Sequence, residues 1–265
     1  MTPATPVRRR PLVSGNWKMN FDHHQAIHAA RDLGLRLRGS DTAAVDISLH
    51  PPFTDLRSVQ TVLEADDVPV ALGAQNCAVE DAGAFTGEVS APMLAKLHVE
   101  YVIVGHSERR RLFGETDEVV AAKLRAVVRN GMTPICCVGE TLEEREAGAT
   151  TARLTAQVEA ALGAFEGTGL PALVVAYEPL WAIGTGRAAS AQDAEEAAQV
   201  VRSVVARARG DDAAGQLCVQ YGGSVTPENA AELLAPPDVD GLLVGGASLD
   251  PAQFVAIVRA AHPPR

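Results

Sequence analysis

At 265 residues the chain exceeds the usual single-domain length, although barrels of alternating strands and helices reach this size as one unit. Hydrophobic residues make up 47% and charged residues 21%, and no apolar run approaches the roughly 20 residues of a membrane helix, so a soluble globular protein with no membrane partner is expected. The net charge of -10 argues against a general nucleic-acid binder and offers no attraction to an anionic ligand, so any phosphate must be held by local groups.

In chain order, the first residues carry Arg8-Arg9-Arg10 without a following apolar core. They read as a short disordered or extended tail over residues 1–10 and not as a secretory signal, leaving 11–265 as a single domain. Short apolar runs then recur at Leu12 to Gly15, Val45 to Leu49, Val70 to Ala74, Tyr101 to Val104, Thr133 to Val138, Leu173 to Tyr177, Leu217 to Tyr221 and Gly241 to Val244. They lack the polar alternation of a half-exposed strand, which predicts strands buried on both faces. Helical patterns fill the gaps, with Asp22 before His23 to Arg38, Asp117 before Glu118 to Arg129, Ser190 before Ala191 to Ala208, and Thr226-Pro227-Glu228 opening the helix before the last strand. Gly39 and Gly131 fall where C-terminal caps belong.

Eight such units imply parallel pairing with right-handed crossovers, and the economical closure is a (β/α)8 barrel of the α/β class. An open doubly wound sheet is the rival. It is disfavoured because the first strand runs into Asn16-Trp17-Lys18-Met19-Asn20 and not into a glycine-rich dinucleotide turn. Cysteines at 77, 136, 137 and 218 lie in or beside apolar runs without metal spacing, which fits buried thiols in a reducing cytoplasm.

Active sites of such barrels lie at the C-terminal ends of the strands. That rim collects Asn16 and Lys18 after the first strand, His106, Ser107 and Glu108 after the fourth, Glu178 after the sixth, and Gly222-Gly223-Ser224 and Gly245-Gly246 after the last two. Glu178 is followed by Pro179-Leu180-Trp181 and a small-residue tip through Ala182, Ile183, Gly184, Thr185 and Gly186, the composition of a lid with stiff ends and a pliable middle. Taken singly, Glu178 could be a solvated loop residue, His106 a hydrogen-bonded structural histidine, Lys18 a surface charge and each glycine pair a simple turn. Convergence of a base, an imidazole, a cation and two glycine turns on one rim favours an active site over these single readings, with an anion such as phosphate held on backbone N–H groups.

The segments Gly15-Asn16-Trp17-Lys18-Met19-Asn20, Val104-Gly105-His106-Ser107-Glu108-Arg109-Arg110, Glu178 to Gly186, Tyr221-Gly222-Gly223-Ser224-Val225 and Leu243-Val244-Gly245-Gly246-Ala247-Ser248 resemble, in order and over nearly the whole chain, the motifs of the triosephosphate isomerase family. The resemblance implies a TIM barrel without cofactor or metal, placed in glycolysis and gluconeogenesis, that interconverts D-glyceraldehyde 3-phosphate and dihydroxyacetone phosphate. It assigns Glu178 as base, a neutral His106 as electrophile, Lys18 and Asn16 as electrostatic and orienting groups, and Gly184, Ser224, Gly245 and Gly246 as phosphate donors; the acid–base assignment for this enzyme is itself a standard worked case. Trp17 reads as a packing residue between Asn16 and Lys18. Ser107, Glu108 and Cys137 are supporting residues, with Glu108 paired to Lys18 and Glu140 to Arg109. Leu180 and Arg187 stand where the family often has Val and Lys, and His98 replaces a small residue at a helix end. The long connection Gln75 to Glu88, with Phe85, Thr86 and Gly87 at its tip, would insert into a twin subunit near its Asn16 and Met19, which implies a homodimer. A four-carbon sugar phosphate isomerase would use the same groups, and a non-catalytic barrel scaffold is the reading from a different class.

Overall fold

The computed structural model describes residues 9–167, 169–170, 172–182 and 189–262. Eight parallel strands pair in sequence order and close on themselves: β1 (Leu12–Asn16), β2 (Asp46–His50), β3 (Ala71–Ala74), β4 (Tyr101–Val104), β5 (Thr133–Val138), β6 (Val174–Tyr177), β7 (Cys218–Tyr221) and β8 (Gly241–Val244). Closure comes from β1 against β8, with Leu12 opposite Gly241 and Gly15 opposite Val244. Residues on both faces of these strands are buried, which is why their sequences show no polar alternation.

The α-helices in chain order are α1 (His23–Arg36), α2 (Gly39–Ala44), α3 (Leu56–Ala65), α4 (Ala91–Ala95), α5 (Ser107–Phe113), α6 (Asp117–Arg129), α7 (Leu142–Glu146), α8 (Thr150–Leu162), α9 (Ala191–Arg209), α10 (Asp211–Gln216), α11 (Ala230–Leu233) and α12 (Pro251–Ala260). Asp22 caps α1 in a capping box with Gln25, and Ser190 does the same for α9 with Asp193. Three helix boundaries differ from expectation. α1 stops at Arg36 with Leu37 extended, and Gly39 opens α2 where a C-terminal cap was expected, with Asp41 closing back on Arg38 N–H. Thr116, one residue before the expected Asp117, caps α6 because its hydroxyl accepts the Val119 N–H. Thr226-Pro227-Glu228 forms a turn, closed by the Asn229 side chain on Thr226 N–H, before the short α11. Gly131 does sit just past α6 with φ 77°, the conformation a cap there requires.

Two apolar regions hold the barrel. The larger lies between strands and helices, where Val13, Leu49, Leu124, Val204 and Phe254 are fully buried. Each such Leu or Phe contributes on the order of 1.5–3 kcal/mol by leaving water. The smaller fills the barrel interior with Leu12, Ile103, Ile135, Cys137, Val174, Ala176 and Leu243. Arg9 and Arg10 are already pinned at the strand N-terminal end, to Asp240 and Asp46; residues 1–8 of the expected tail lie outside the described residues. Among the described residues no helix is long and apolar enough to cross a membrane.

Candidate active site

At the end of β1 the chain turns sharply. Trp17 packs inward, 2% exposed, edge-on to Phe21 at 5.1 Å and with its indole N–H on the Ser248 carbonyl at 3.1 Å. That anchor throws Asn16 and Lys18 to the cavity side. Lys18 adopts φ 53°, and its N–H is held by Asn16 Oδ1 at 3.0 Å. Its ammonium meets Glu108 Oε1 at 2.7 Å, the expected pairing.

After β4, His106 caps α5 with its own ring: Nδ1 accepts the Glu108 N–H at 3.3 Å. An imidazole nitrogen that accepts carries no proton, so Nε2 holds the hydrogen and points it at Glu178 Oε1, 2.9 Å away. Glu178, 2% exposed at the end of β6, takes the Ser107 N–H on its other oxygen at 2.8 Å. Burial opposes charge on Glu178, but the His106 ring and the Ser107 N–H outweigh it and hold the carboxyl below its ordinary range. His106 shows the mirror image, with burial outweighed by the Glu178 carboxylate and the pKa raised. Cys137, on β5 behind this pair, is pushed well above the usual thiol value by burial and then by Glu178.

These groups line one cavity of about 630 Å³. Asn16, Lys18, His106, Ser107, Glu108 and Glu178 form one side, and Gly222, Gly223, Ser224, Gly245 and Gly246 the other. The sequence therefore brings its expected base, imidazole, cation and glycine turns into a single opening. Arg111 also lines it, which the sequence reading did not assign. The only signal was the run Arg109-Arg110-Arg111, in which Arg109 is taken by Glu115 and Arg110 by Asp117.

The start of the expected lid is fastened down. Leu180–Ala182 forms a single 3-10 turn, Leu180 lines the cavity, and Trp181 Nε1 donates to Glu140 Oε1 at 2.8 Å. Glu140 also accepts from the Tyr177 hydroxyl at 3.0 Å, and Arg145 lies 4.3 Å over the Trp181 ring. The expected Glu140–Arg109 pair is therefore absent. Arg109 Nε donates to Glu115 at 2.6 Å, while Glu140 faces β6 and the lid, 3.5 Å from Arg145. Ile183, Gly184, Thr185 and Gly186, expected to form the pliable tip, and Arg187 after them lie outside the described residues. Of the residues expected at a contact with a twin subunit, Phe85 on the inserting connection is 45% exposed, with Thr86 and Gly87 exposed beside it, and Met19 on the receiving side is 95% exposed.

A family model described as triosephosphate isomerase matches residues 11–261. The chain belongs to the triosephosphate isomerase family. Among relatives bearing that name, the Leifsonia xyli protein is 51% identical over 96% of this chain and 98% of its own length. Those of Streptomyces coelicolor and Corynebacterium efficiens are each 49% identical, over 95% and 96% of this chain and 97% of theirs. The chain is thus an enzyme of the isomerase class, and the triosephosphate isomerase motifs expected on the rim are the ones the cavity gathers.

Proposed function

We propose that the chain interconverts D-glyceraldehyde 3-phosphate and dihydroxyacetone phosphate by proton transfer through an enediolate. The observation that carries this reading is the buried Glu178–His106 contact at 2.9 Å, opening on a cavity shared with Lys18 and two glycine turns. A ketose carbonyl entering between ring and carboxylate takes the Nε2 hydrogen bond and removes the contact that raises the His106 pKa, so a neutral imidazole faces the substrate oxygen. Glu178 then takes the proton from the hydroxyl-bearing carbon. The C–H electron pair becomes the enediolate double bond, and the negative charge gathers on the oxygen facing His106 and Lys18. His106 passes its Nε2 proton to that oxygen and takes back the proton of the neighbouring hydroxyl, so the negative charge moves to the second oxygen. Return of the carbon-bound proton from Glu178 to the adjacent carbon, as that oxygen becomes the new carbonyl, completes the aldose.

Asn16 orients the carbonyl end, and Ser224, Gly245 and Gly246 supply N–H groups to the phosphate, with Gly184 of the lid as a further donor. Pro179 to Trp181 is the first hinge, and closure keeps water from an intermediate that would otherwise expel phosphate. Ser107 fixes the base through its N–H, and Glu108 holds the Lys18 ammonium. A coupled assay with three- and four-carbon sugar phosphates tests the reading on the parent and on Glu178→Gln. We expect turnover of the three-carbon substrate, lost by at least about 1000-fold in the variant. Preference for the four-carbon phosphate would reassign the substrate, undiminished turnover in Glu178→Gln would defeat the base, and no turnover in either would return the scaffold reading.

We also propose a cytoplasmic homodimer. The free cysteines support a reducing compartment, and exposed Met19, Phe85, Leu112 and Phe113, on the segments that carry the site and the 75–88 connection, support burial against a twin. Light scattering on a size-exclusion column is expected to give twice the chain mass, and a monomer at micromolar concentration would sink the proposal.

A further inference from the structure

The barrel interior is not uniformly apolar. Side chains alternate along each strand, so Ser14 shares the inner face with Leu12, and Ser48 and His50 lie opposite in direction to the outward Ile47 and Leu49. Gln220 on β7 completes the set, and all four polar side chains are fully buried. They form a file from β7 to β3: Gln220 Nε2 lies 2.9 Å from Ser14 Oγ, Ser14 Oγ 2.9 Å from Ser48 Oγ, Ser48 Oγ 3.0 Å from His50 Nε2, and His50 Nδ1 3.1 Å from the Ala74 carbonyl.

The file has one consistent direction. The Ala74 carbonyl only accepts, so His50 carries its proton on Nδ1 and accepts at Nε2. The Ser48 hydroxyl must then donate to the ring, the Ser14 hydroxyl to Ser48, and the Gln220 amide to Ser14. Gly73 makes room for this ring, since a Cβ there would stand 2.3 Å from it.

Above the file lies the turn that carries Lys18. The His50 carbonyl accepts Trp17 N–H at 3.1 Å and Gln75 Nε2 at 2.8 Å, and the same Gln75 amide reaches the Lys18 carbonyl at 2.8 Å. Gln75 directly follows Ala74, the residue His50 fastens. Lys18 sits at positive φ, an unfavourable conformation for a side-chain-bearing residue, which persists only where its surroundings hold it.

We propose that His50 is a positioning residue for the reaction: by tying β2 to the end of β3 it sets Gln75, and through Gln75 the backbone of Lys18 and the place of its ammonium in the cavity. The inference rests on the assignment of Lys18 to the substrate above. It is tested by steady-state kinetics of His50→Leu, His50→Asn, Gln75→Leu and Lys18→Ala, each well below its melting temperature, with inhibition by inorganic phosphate measured alongside. His50→Leu is expected to lower kcat/KM about tenfold, with KM and the phosphate inhibition constant carrying at least half of the loss, the consequence of a displaced cation. His50→Asn, whose Nδ2–H replaces Nδ1–H toward Ala74, is expected to recover to within about threefold of the parent. Gln75→Leu cuts only the upper clamp and is expected to reproduce the KM rise; it decides the matter if His50→Leu folds poorly. A role confined to stability would lower the melting temperature and leave KM and phosphate inhibition as in the parent, and that result in both His50→Leu and Gln75→Leu would overturn the inference. Should Lys18→Ala also keep the parent KM, the reading of Lys18 itself falls instead.

Discussion

Burial holds the His50 ring at about 4, against 6.5 for a free imidazole, with the Ala74 carbonyl acting in the opposite sense. Between those values the unfolded chain binds a proton at this position and the native chain does not. Native stability therefore rises with pH across about 4 to 6.5 and is lost as pH falls through that window, by up to roughly 3 kcal/mol from this group. Urea unfolding of the parent at pH 7 and pH 4.5 is expected to show the loss, and His50→Leu to show a smaller difference between the two pH values. Equal pH dependence in both would mean that the ring titrates normally or that other groups set the slope. His50 was not read from the sequence at all, since the expected strand stopped at Leu49, one residue short of the observed end of β2. Its role depends on which face of β2 is inward and on the gap at Gly73, both fixed by pairing between β2 and β3 and neither visible in a linear pattern.

Among elements, the strands were legible because a strand buried on both faces needs an uninterrupted apolar run, and that run is a local property. Helix ends were less legible. Asp117 and Thr116 are adjacent capping residues, and only the Val119 N–H chooses between them; likewise Gly39 suits a helix end or a helix start. The Glu140 pairing escaped because α5 and the β5–α7 connection meet only through the folded barrel. In its place the Glu115 carboxylate serves Arg109 at 2.6 Å and the buried Lys123 at 2.5 Å, and Lys123 also donates to Asn76 Oδ1 at 2.8 Å. This cluster joins α5 and α6 to the root of the 75–88 connection. Burial alone would raise the Glu115 pKa, but Lys123 and Arg109 outweigh it and lower it. Replacing Glu115 with Gln leaves a buried ammonium among neutral amide oxygens with no counter-charge, a loss of about 3–5 kcal/mol by comparison with other broken buried pairs. The expected result is a melting temperature lower by about 10 °C. A shift within about 2 °C would show that Lys123 finds water or another acceptor when Glu115 is gone.

For the molecule as a whole, the net charge of -10 repels a dianionic sugar phosphate, so approach must depend on the local field at the cavity mouth. Lys18 is partly neutralised there by Glu108. Arg111, exposed at the same mouth, has no hydrogen-bond or ion-pair partner among the described residues, and its whole charge faces the solvent through which substrate arrives. Replacing Arg111 with Glu changes the local charge by two units without altering the groups around the reacting carbons. At low ionic strength kcat/KM is expected to fall several-fold while kcat stays as in the parent, because only encounter is affected. Raising the salt shortens the screening length from about 30 Å at 0.01 M to about 8 Å at 0.15 M, so the gap between variant and parent is expected to narrow steadily across that range. A gap that persists unchanged at every salt concentration, or a loss in kcat, would mean that Arg111 acts on bound substrate or on the shape of the site and not on encounter.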